Sequence, residues 1–221
     1  GSAAYPSSVL MTVIPAQVAG VSEIIVCTPA NQTNGPDPAV LAACSLCGVD
    51  RVFAVGGAQA IAAMAYGTES ISPVDLICGP GNRYVTLAKK IVYGDVGIDG
   101  LYGPTETIVI ADENADPRYC AADLLAQAEH DALATPILVT TSERVLDAVQ
   151  EQLHSQLKHL SRAHIAQASL ENNGLLIKVN SITEALEIAN YFAPEHLCLL
   201  VDSPQDYIPL VRNAGALFLG H

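Results

Sequence analysis

Positive charge is scarce in this sequence. Only 10 lysines and arginines stand against 23 aspartates and glutamates, which gives a formal net charge of -13. Phosphate backbones and anionic membrane surfaces repel such a chain, so we expect neither nucleic acid nor a membrane among its partners. No apolar run approaches the roughly 20 residues of a membrane-spanning helix, and no signal peptide is visible. We expect a cytoplasmic location. A plastid transit peptide stays open, because the chain opens on Gly1-Ser2 instead of Met.

Low-complexity segments and internal repeats of 20 to 50 residues are also missing, and only 15% of the residues are charged while 50% are hydrophobic. These proportions are typical of an ordered globular protein, and 221 residues can form one large domain or two smaller lobes. The six cysteines lie in apolar contexts, which predicts reduced, buried thiols. Cys44 and Cys47 are spaced as C-x-x-C, but no second Cys/His pair lies close by, so core cysteines are favoured over a metal or redox site.

Short apolar strands alternate with helical stretches along the whole chain. The predicted strands are Glu23–Cys27, Arg51–Val55, Val74–Cys78, Thr107–Ala111, Pro136–Thr140, Leu175–Val179, Leu197–Val201 and Ala216–Leu219. The predicted helices are Ser7–Ala19, Asp37–Cys47, Ala58–Tyr66, Asn82–Tyr93, Pro117–His130, Glu143–His159, Ser181–Tyr191 and Pro204–Asn213. This alternation predicts an α/β fold, with two lobes of mostly parallel, Rossmann-like sheet flanked by helices. The glycine-rich segment Gly94–Pro104 is the predicted passage between lobes, which gives domains of residues 1–104 and 105–221.

Glycine-rich turns follow two predicted strands of the first lobe. Gly56-Gly57-Ala58-Gln59 and Gly79-Pro80-Gly81-Asn82 both stand at carboxyl ends of strands, where open α/β sheets bind ligands. Glycines let a phosphate or ribose approach the backbone, and the following helix N-terminus favours negative charge. Neither turn is G-x-G-x-x-G, so the glycines alone do not establish a dinucleotide site. Gln59 and Asn82 are candidates for contacting such a ligand, and each could instead cap its helix.

The second lobe carries a possible metal pair. Gln127 and His130 lie three residues apart on the predicted helix Pro117–His130, so they project from one face. A neutral imidazole is a common zinc ligand, and the carboxamide oxygen beside it is a second donor. A polar helix end with a solvated histidine is the alternative.

A possible acid/base pair, Glu195-His196, stands between a predicted helix and a predicted strand. Ser181 and Glu184 have the spacing of a capping box at the start of that helix. Pro194 should end it and bias Ala193 toward extended backbone, which places the pair on a short connector. A carboxylate and an imidazole can both be tuned toward neutral pH. A surface turn without chemistry is the alternative.

Six stretches together resemble the histidinol dehydrogenase family, whose members are thought to be distant structural relatives of aldehyde dehydrogenases. They run in family order from one end of the chain to the other: Ala4–Met11, Val55–Ala60, Gly79–Asn82, Gly103–Glu106, Leu124–Asp131 and Ala193–Leu197. The resemblance implies two NAD-dependent hydride transfers that oxidise L-histidinol through L-histidinal to L-histidine, with one zinc per site in a homodimer.

The resemblance also implies a role for each candidate. Gln127 and His130 would bind zinc, and both would lie at the substrate. His196 would contact the substrate and take the alcohol proton, and Glu195 would activate the water that attacks the aldehyde-level intermediate. Two further groups would act at the ligands: Gln59 and Asn82 would contact NAD, and Thr105, where many members carry Ser, would contact the substrate.

Family members are about twice as long as this chain. Two of their zinc ligands, an Asp and a His, lie beyond the position of His221, the His on a segment from the partner subunit, and an NAD-contacting tyrosine precedes Gly1. We therefore expect the 221 residues alone to bind zinc poorly and to turn over little. Terminal His221 is not counted as a ligand.

Two other interpretations stay open. One is an aldehyde-dehydrogenase-like or acyl-phosphate-reductase-like enzyme with a cysteine nucleophile, for which Cys198 would be the candidate. That reading requires a thiol on an exposed, electropositive connector. The other is a non-catalytic nucleotide-binding module.

Overall fold

The computed structural model describes residues 5–30 and 35–220. Gly1, Ser2, Ala4 and His221, which enter the expectations above, lie outside the described residues. The chain forms two compact units, Gly1–Gly103 and Pro104–His221, whose boundary lies one residue from the boundary expected between the lobes. No helix in the described ranges has the length and apolar character that a membrane span requires.

Unit 1 is built on two separate, very short parallel sheets. Strand β1 pairs with β2, and β3 pairs with β4. The elements in chain order are α1 (Pro6–Val18), β1 (Ile25–Cys27), α2 (Pro38–Leu46), β2 (Arg51–Phe53), α3 (Ala58–Tyr66), β3 (Leu76–Ile77), α4 (Arg83–Val92) and β4 (Gly97–Ile98). Each sheet has its own small apolar cluster, one packed around Val13 and Cys44 and the other around Ile61 and Ile77.

Unit 2 contains one continuous sheet of five parallel strands in the order β7-β6-β5-β8-β9. The strands are β5 (Glu106–Ala111), β6 (Thr135–Thr140), β7 (Leu175–Lys178), β8 (His196–Leu200) and β9 (Ala216–Leu219). The helices are α5 (Pro117–Ala128), α6 (Glu143–Leu157), α7 (Ala163–Asn173), α8 (Ile182–Phe192) and a 3₁₀-helix, Pro204–Leu210.

Side-chain alternation divides the core of unit 2 between the two faces of this sheet. Val109 and Cys198 pack with Leu124 of α5 on one face, while Ile108 and Leu197 pack with Leu186 of α8 on the other. Central strands covered on both faces read as continuous apolar runs, which is why β5 and β8 were recognisable in the sequence. The predicted α/β class with mostly parallel sheets is confirmed.

Side chains at the helix starts explain several element boundaries. The Asp116 carboxylate accepts the Arg118 N–H at the start of α5. At the start of α8, the Ser181 hydroxyl accepts the Glu184 N–H at 3.1 Å, and the Glu184 carboxylate accepts the Asn180 N–H at 2.8 Å. The predicted capping pair therefore works, with the reciprocal bond displaced by one residue.

Several sequence-based expectations were wrong in detail. Strand β4 lies in the segment predicted as a passage between lobes, and α7 follows a helix break at which the sequence has neither Gly nor Pro. The predicted helix Pro204–Asn213 is a 3₁₀-helix ending at Leu210, and Pro209 near its end provides no N–H for an α-helical ladder.

The expectation of six buried thiols was also wrong. Cys78 is exposed, and Cys27 and Cys47 are only partly buried. Cys78 follows the two-residue strand β3 directly, and Leu76 of the same strand is also exposed. Cys44 is buried in the core, as the core-cysteine interpretation of the C-x-x-C motif requires.

Candidate functional site

The amino-terminal edge of the unit 2 sheet gathers most of the candidate residues. Glu195 and His196 stand at the start of β8, and Thr105 directly precedes β5. Helix α5 connects two parallel neighbours, β5 and β6, so it must run back along the sheet and end at the edge where both strands begin. That end carries Gln127 and leads to His130.

The strand register sets which face of the sheet these groups occupy. His196 is the partner of Thr107 in the β5–β8 pair, and Cys198 is the partner of Val109. Val109 and Cys198 both pack into the core beneath α5. Side chains two residues apart on a strand share a face, so Thr107 and His196 also face the α5 side.

The proximity of α5 to β8 relates the positions of Gln127 and His196 along the sheet. The Asp123 carboxylate lies near enough to the Cys198 thiol to help raise its pKa, after burial. Gln127 lies one helical turn beyond Asp123, about 6 Å toward the amino-terminal edge. His196 lies two strand residues before Cys198, which is about 6.6 Å in the same direction. Gln127 and His196 therefore both lie toward the amino-terminal edge, on the face of the sheet that α5 covers.

His130 lies two residues beyond the end of α5, so the observed helix is two residues shorter than the predicted one. Its N–H donates to the Gln127 carbonyl at 3.1 Å, and its Nδ1 is 2.7 Å from the Ala126 carbonyl oxygen. A carbonyl only accepts, so Nδ1 carries the proton and Nε2 of the neutral ring carries the lone pair. Metal-bound histidines use this arrangement, in which a backbone carbonyl fixes the tautomer.

The donor chemistry of Gln127 and His130 fits zinc, which accepts imidazole nitrogen readily and is here offered an amide oxygen beside it. Structural zinc sites use four protein ligands and catalytic sites use three, so this pair is an incomplete set. Within residues 5–30 and 35–220, no group of three or more His, Cys, Asp or Glu is placed to hold a metal ion.

Backbone contacts with the start of β9 hold the Glu195-His196 corner. Gly215 donates its N–H to the Pro194 carbonyl at 3.0 Å, and Ala216 donates to the Glu195 carbonyl at 2.8 Å. A Cβ on Gly215 would lie 2.7 Å from the Glu195 carbonyl oxygen, so this approach requires glycine.

The turn before this corner differs from the sequence-based expectation. Ala193 is left-handed, with φ 57° and ψ 60°, where extended backbone was predicted. It ends α8, and its N–H still donates to the Ala189 carbonyl at 2.8 Å, which satisfies a carbonyl of the last helical turn. The restriction imposed by Pro194 is a preference that this helix-ending contact overrides.

The His196 ring has an apolar neighbour and a buried polar atom. Phe218 of β9 meets it edge to face, with ring centroids 5.5 Å apart. His196 Nδ1 and Thr107 Oγ1 are both buried without a hydrogen-bond partner. An unpaired buried polar atom costs roughly 1–3 kcal/mol. Two such atoms at paired strand positions on one face are what a site for a polar ligand or an ordered water provides.

Two carboxylates also meet at this edge. Glu106 begins β5, and continuation of the β5–β8 register places it beside Glu195. Burial, and then the nearby charge of Glu195, raise the pKa of the half-buried Glu106 carboxyl. Glu195 itself is exposed. Glu106 belongs to the Gly103–Glu106 motif, but its place in the sequence does not indicate a role for it.

Other residues of the site carried weaker sequence signals. Thr107 and Phe218 could be found only from strand register, and Gly215 only from a close backbone approach. Asp123 stands four residues before Gln127, a spacing that could have marked it as a neighbour on the helix.

The opposite, carboxyl-terminal edge of the same sheet is closed by one acidic side chain. The Asp112 carboxylate accepts N–H groups from Asn114 at 2.9 Å, Ala115 at 3.1 Å and Asp202 at 2.6 Å. Asn114 also donates to the Asp202 carboxylate at 2.7 Å. These bonds join the loops after β5 and β8, where chain order reverses and where an open α/β sheet commonly binds its ligand.

The two proposed NAD residues belong to unit 1 and occupy different positions. Asn82 caps α4, because its Oδ1 accepts the N–H of Tyr84 at 3.0 Å and of Val85 at 3.2 Å. Gln59 lies exposed in the first turn of α3, whose N-cap is Gly57 and which has no side-chain cap. The capping role of Asn82 is confirmed, and it uses the oxygen and leaves the Nδ2 group for other contacts.

Cys198 lacks the environment of a cysteine nucleophile. It is 6% exposed, and burial, followed by the nearby Asp123 carboxylate, raises the pKa of its thiol. Exposed Cys78 also has a raised thiol pKa, from partial burial and from the charge of Asp99. Reactive cysteines need the opposite shift, so these environments argue against a cysteine-dependent enzyme.

The fold is shared with proteins of one enzyme class. A solved structure described as a probable aldehyde dehydrogenase from Listeria monocytogenes matches 97% of this chain and 61% of its own, with TM-score 0.60 and 12% identity. At that identity the similarity shows the α/β fold alone.

Closer relatives define the family. The histidinol dehydrogenase family model matches residues 1–221. Histidinol dehydrogenases of Sulfurimonas denitrificans and Methanothermobacter thermautotrophicus are 53% and 51% identical over 100% of this chain, covering 51% and 52% of their own lengths. A solved histidinol dehydrogenase from Elizabethkingia anophelis superposes with TM-score 0.93 and 43% identity, over 100% of this chain and 51% of that one. The chain belongs to the histidinol dehydrogenase family, and it spans about half the length of the relatives it matches.

Proposed function

We propose that this chain supplies the substrate-binding and acid/base core of an enzyme that oxidises L-histidinol through L-histidinal to L-histidine in histidine biosynthesis. Family membership supports the reaction. The structural observation that supports it is that Thr107 and His196 share the face of the unit 2 sheet beneath α5, the helix that carries Gln127.

His196 is the base that takes the alcohol proton. Because Nδ1 is buried, the substrate reaches Nε2. Thr107 Oγ1, at the paired position on the same face, can accept a hydrogen bond from His196 Nδ1–H through a bridging water, which leaves the lone pair on Nε2. An imidazole with pKa near ~6.5 is matched to proton abstraction at neutral pH.

Glu195 is the base for the second half-reaction. Its exposed carboxylate takes a proton from the water that attacks the aldehyde-level intermediate. The neighbouring Glu106 carboxyl, whose pKa is raised by burial and then by the charge of Glu195, lies beside it. Thr105 contacts the substrate through its hydroxyl.

Gln127, through its amide oxygen, and His130, through Nε2, would hold zinc and contact the substrate. Gln59 and the Asn82 Nδ2 group contact NAD. When bound, zinc orients and polarises the substrate without redox chemistry of its own, and the nicotinamide accepts the hydrides. The remaining zinc ligands would come from outside these 221 residues, one of them from the partner subunit of a homodimer. The proposed location is the cytoplasm.

The test compares the 221-residue chain with a chain extended to family length. Zinc is measured by elemental analysis, and NADH formation is followed with L-histidinol. The extended protein should bind one zinc per site and release two NADH per histidinol, while the short chain binds substoichiometric zinc and makes no NADH. Stoichiometric zinc with turnover in the short chain would contradict the division of the site. NAD binding without turnover in the extended protein would favour the non-catalytic module.

A further inference from the structure

We propose that Lys89 and Asp99 form a clamp that holds the Gly79–Asn82 turn in the shape that binds NAD. Neither residue contacts the ligand in this proposal, so both are positioning residues for the proposed NAD-dependent function, on which the proposal rests.

Lys89 is a buried cation that bonds both to the turn and to Asp99. Its side chain on α4 is 2% exposed, although lysine is rarely buried unless paired. Lys89 Nζ donates to the Gly79 carbonyl at 3.1 Å and pairs with the Asp99 carboxylate. It also lies 5.3 Å from the centre of the Tyr102 ring, within cation–π range.

Asp99 binds the other backbone group of the same glycine. Its Oδ2 accepts the Gly79 N–H at 2.7 Å, while Oδ1 accepts the Gly100 N–H at 2.8 Å and bonds to Lys89. One ion pair therefore takes both the N–H and the C=O of Gly79. That residue has φ +114°, a conformation suited to glycine, so the clamp fixes backbone that would otherwise be free to rotate.

The other end of the turn is fixed independently. Asn82 caps α4, and a Cβ on Gly81 would lie 2.5 Å from Val85, so the turn packs tightly on the first turn of this helix. The Thr86 hydroxyl donates to the Tyr102 carbonyl at 2.6 Å, which joins α4 to the loop after β4. The clamp and the cap thus set the direction in which Asn82 Nδ2 points.

A buried ion pair is weak support for overall stability, since two apolar residues often do as well. Its use here is local, because both partners bond to the backbone of a turn that carries a proposed ligand contact. Loss of the clamp should therefore change NAD affinity more than it changes folding or histidinol binding.

The experiment uses the protein extended to family length and the variants Asp99→Asn and Lys89→Met/Asp99→Asn. The double variant leaves no unpaired buried charge. Arg51→Gln is the matched control, because it breaks the exposed Arg51–Glu23 ion pair of the same unit away from the turn. Hydrogen exchange reports on the Gly79 amide, calorimetry gives the NAD dissociation constant, and steady-state kinetics give the histidinol KM.

We expect both clamp variants to speed Gly79 amide exchange and to weaken NAD binding by roughly tenfold or more, with the histidinol KM and the control variant unchanged within twofold. Unchanged exchange, or faster exchange with unchanged NAD affinity, would overturn the proposal. If the double variant does not fold, Asp99→Asn, which has the same shape, decides alone. Wild-type protein that binds no NAD would instead overturn the proposed function, and the exchange data would then judge the clamp separately.

Discussion

The two units solve the problem of presenting polar side chains in different ways. Unit 2 has five paired strands, and its central strand β5 is fully buried from Ile108 to Ala111. Unit 1 has two pairs of strands of two or three residues each, with large apolar side chains such as Leu46 and Ile91 exposed on its helices.

The candidate residues follow this difference. Glu195, His196 and Gln127 are placed by strand register and helix packing, so their positions follow from a large apolar core. Gln59 and Asn82 stand on turns after short strands, where local polar bonds set the geometry. The proposed acid/base residues, which would require fixed distances, lie on the deeper framework, whereas the proposed NAD contacts depend on a few hydrogen bonds.

The largest effect should come from the acid/base pair itself. In the protein of family length, Glu195→Gln should spare the first hydride transfer and slow the second by roughly 10²–10⁴-fold, the usual contribution of a general base. His196→Asn should slow the first step. Rapid-quench counting of NADH per histidinol separates them, with one NADH expected for Glu195→Gln. Equal loss of both steps would contradict the role assigned to Glu195.

One substitution in each unit tests this contrast, at a buried leucine of unit 2 and at an exposed leucine of unit 1. Leu138→Ala removes a side chain that is 0% exposed in β6, so it should lower the free energy of unfolding by roughly 2–5 kcal/mol. Leu46→Ala in unit 1, at a side chain 86% exposed, should stay within about 0.5 kcal/mol. Urea unfolding followed by circular dichroism measures both, and equal losses would show that unit 2 is not the deeper framework.

A smaller effect is expected at the corner that β9 holds. Gly215→Ala would force a methyl against the Glu195 carbonyl oxygen, so we expect a loss of roughly 1–3 kcal/mol in unfolding free energy together with a lower kcat. Gly35→Ala, where the added methyl meets nothing within 4 Å, is the control. A stable Gly215→Ala protein with normal kcat would mean that the corner tolerates displacement.

The smallest effect is expected at Asn82, where two variants separate the capping of α4 from the proposed NAD contact. Asn82→Ala removes the cap of α4 and should cost about 1 kcal/mol of stability as well as NAD affinity. Asn82→Asp keeps a capping oxygen but loses the Nδ2 donor, so only NAD affinity should fall. Thermal unfolding and NAD titration of both variants provide the comparison. If Asn82→Asp binds NAD normally, the side chain is a cap and nothing more.

Much of the unit 2 framework could be predicted from the sequence, because its strands are unbroken apolar runs between recognisable helix starts such as Ser181. Strand β4 was not predicted, because two residues, Gly97 and Ile98, are too few to show an apolar or alternating pattern. Helix α7 escaped because the preceding break has no Gly or Pro.

For the site, residue types and motif order identified Gln127, His130, Glu195 and His196. Their common face could not be read from the sequence. It depends on the pairing of Thr107 with His196 and on the proximity of Asp123 to Cys198, both of which join residues about 75 to 90 positions apart. Pairings between residues so far apart leave no local pattern in the chain.

The hydrogen bonds of Asp112 indicate where unit 2 can be chemically modified. Three backbone N–H groups donate to the Asp112 carboxylate and tie together the loops at the carboxyl-terminal edge of the sheet. A group attached beside them, at exposed Glu113, would lie a full strand length from Glu195 and His196. A fluorophore or affinity tag attached at this position would not contact the candidate residues at the amino-terminal edge of the sheet.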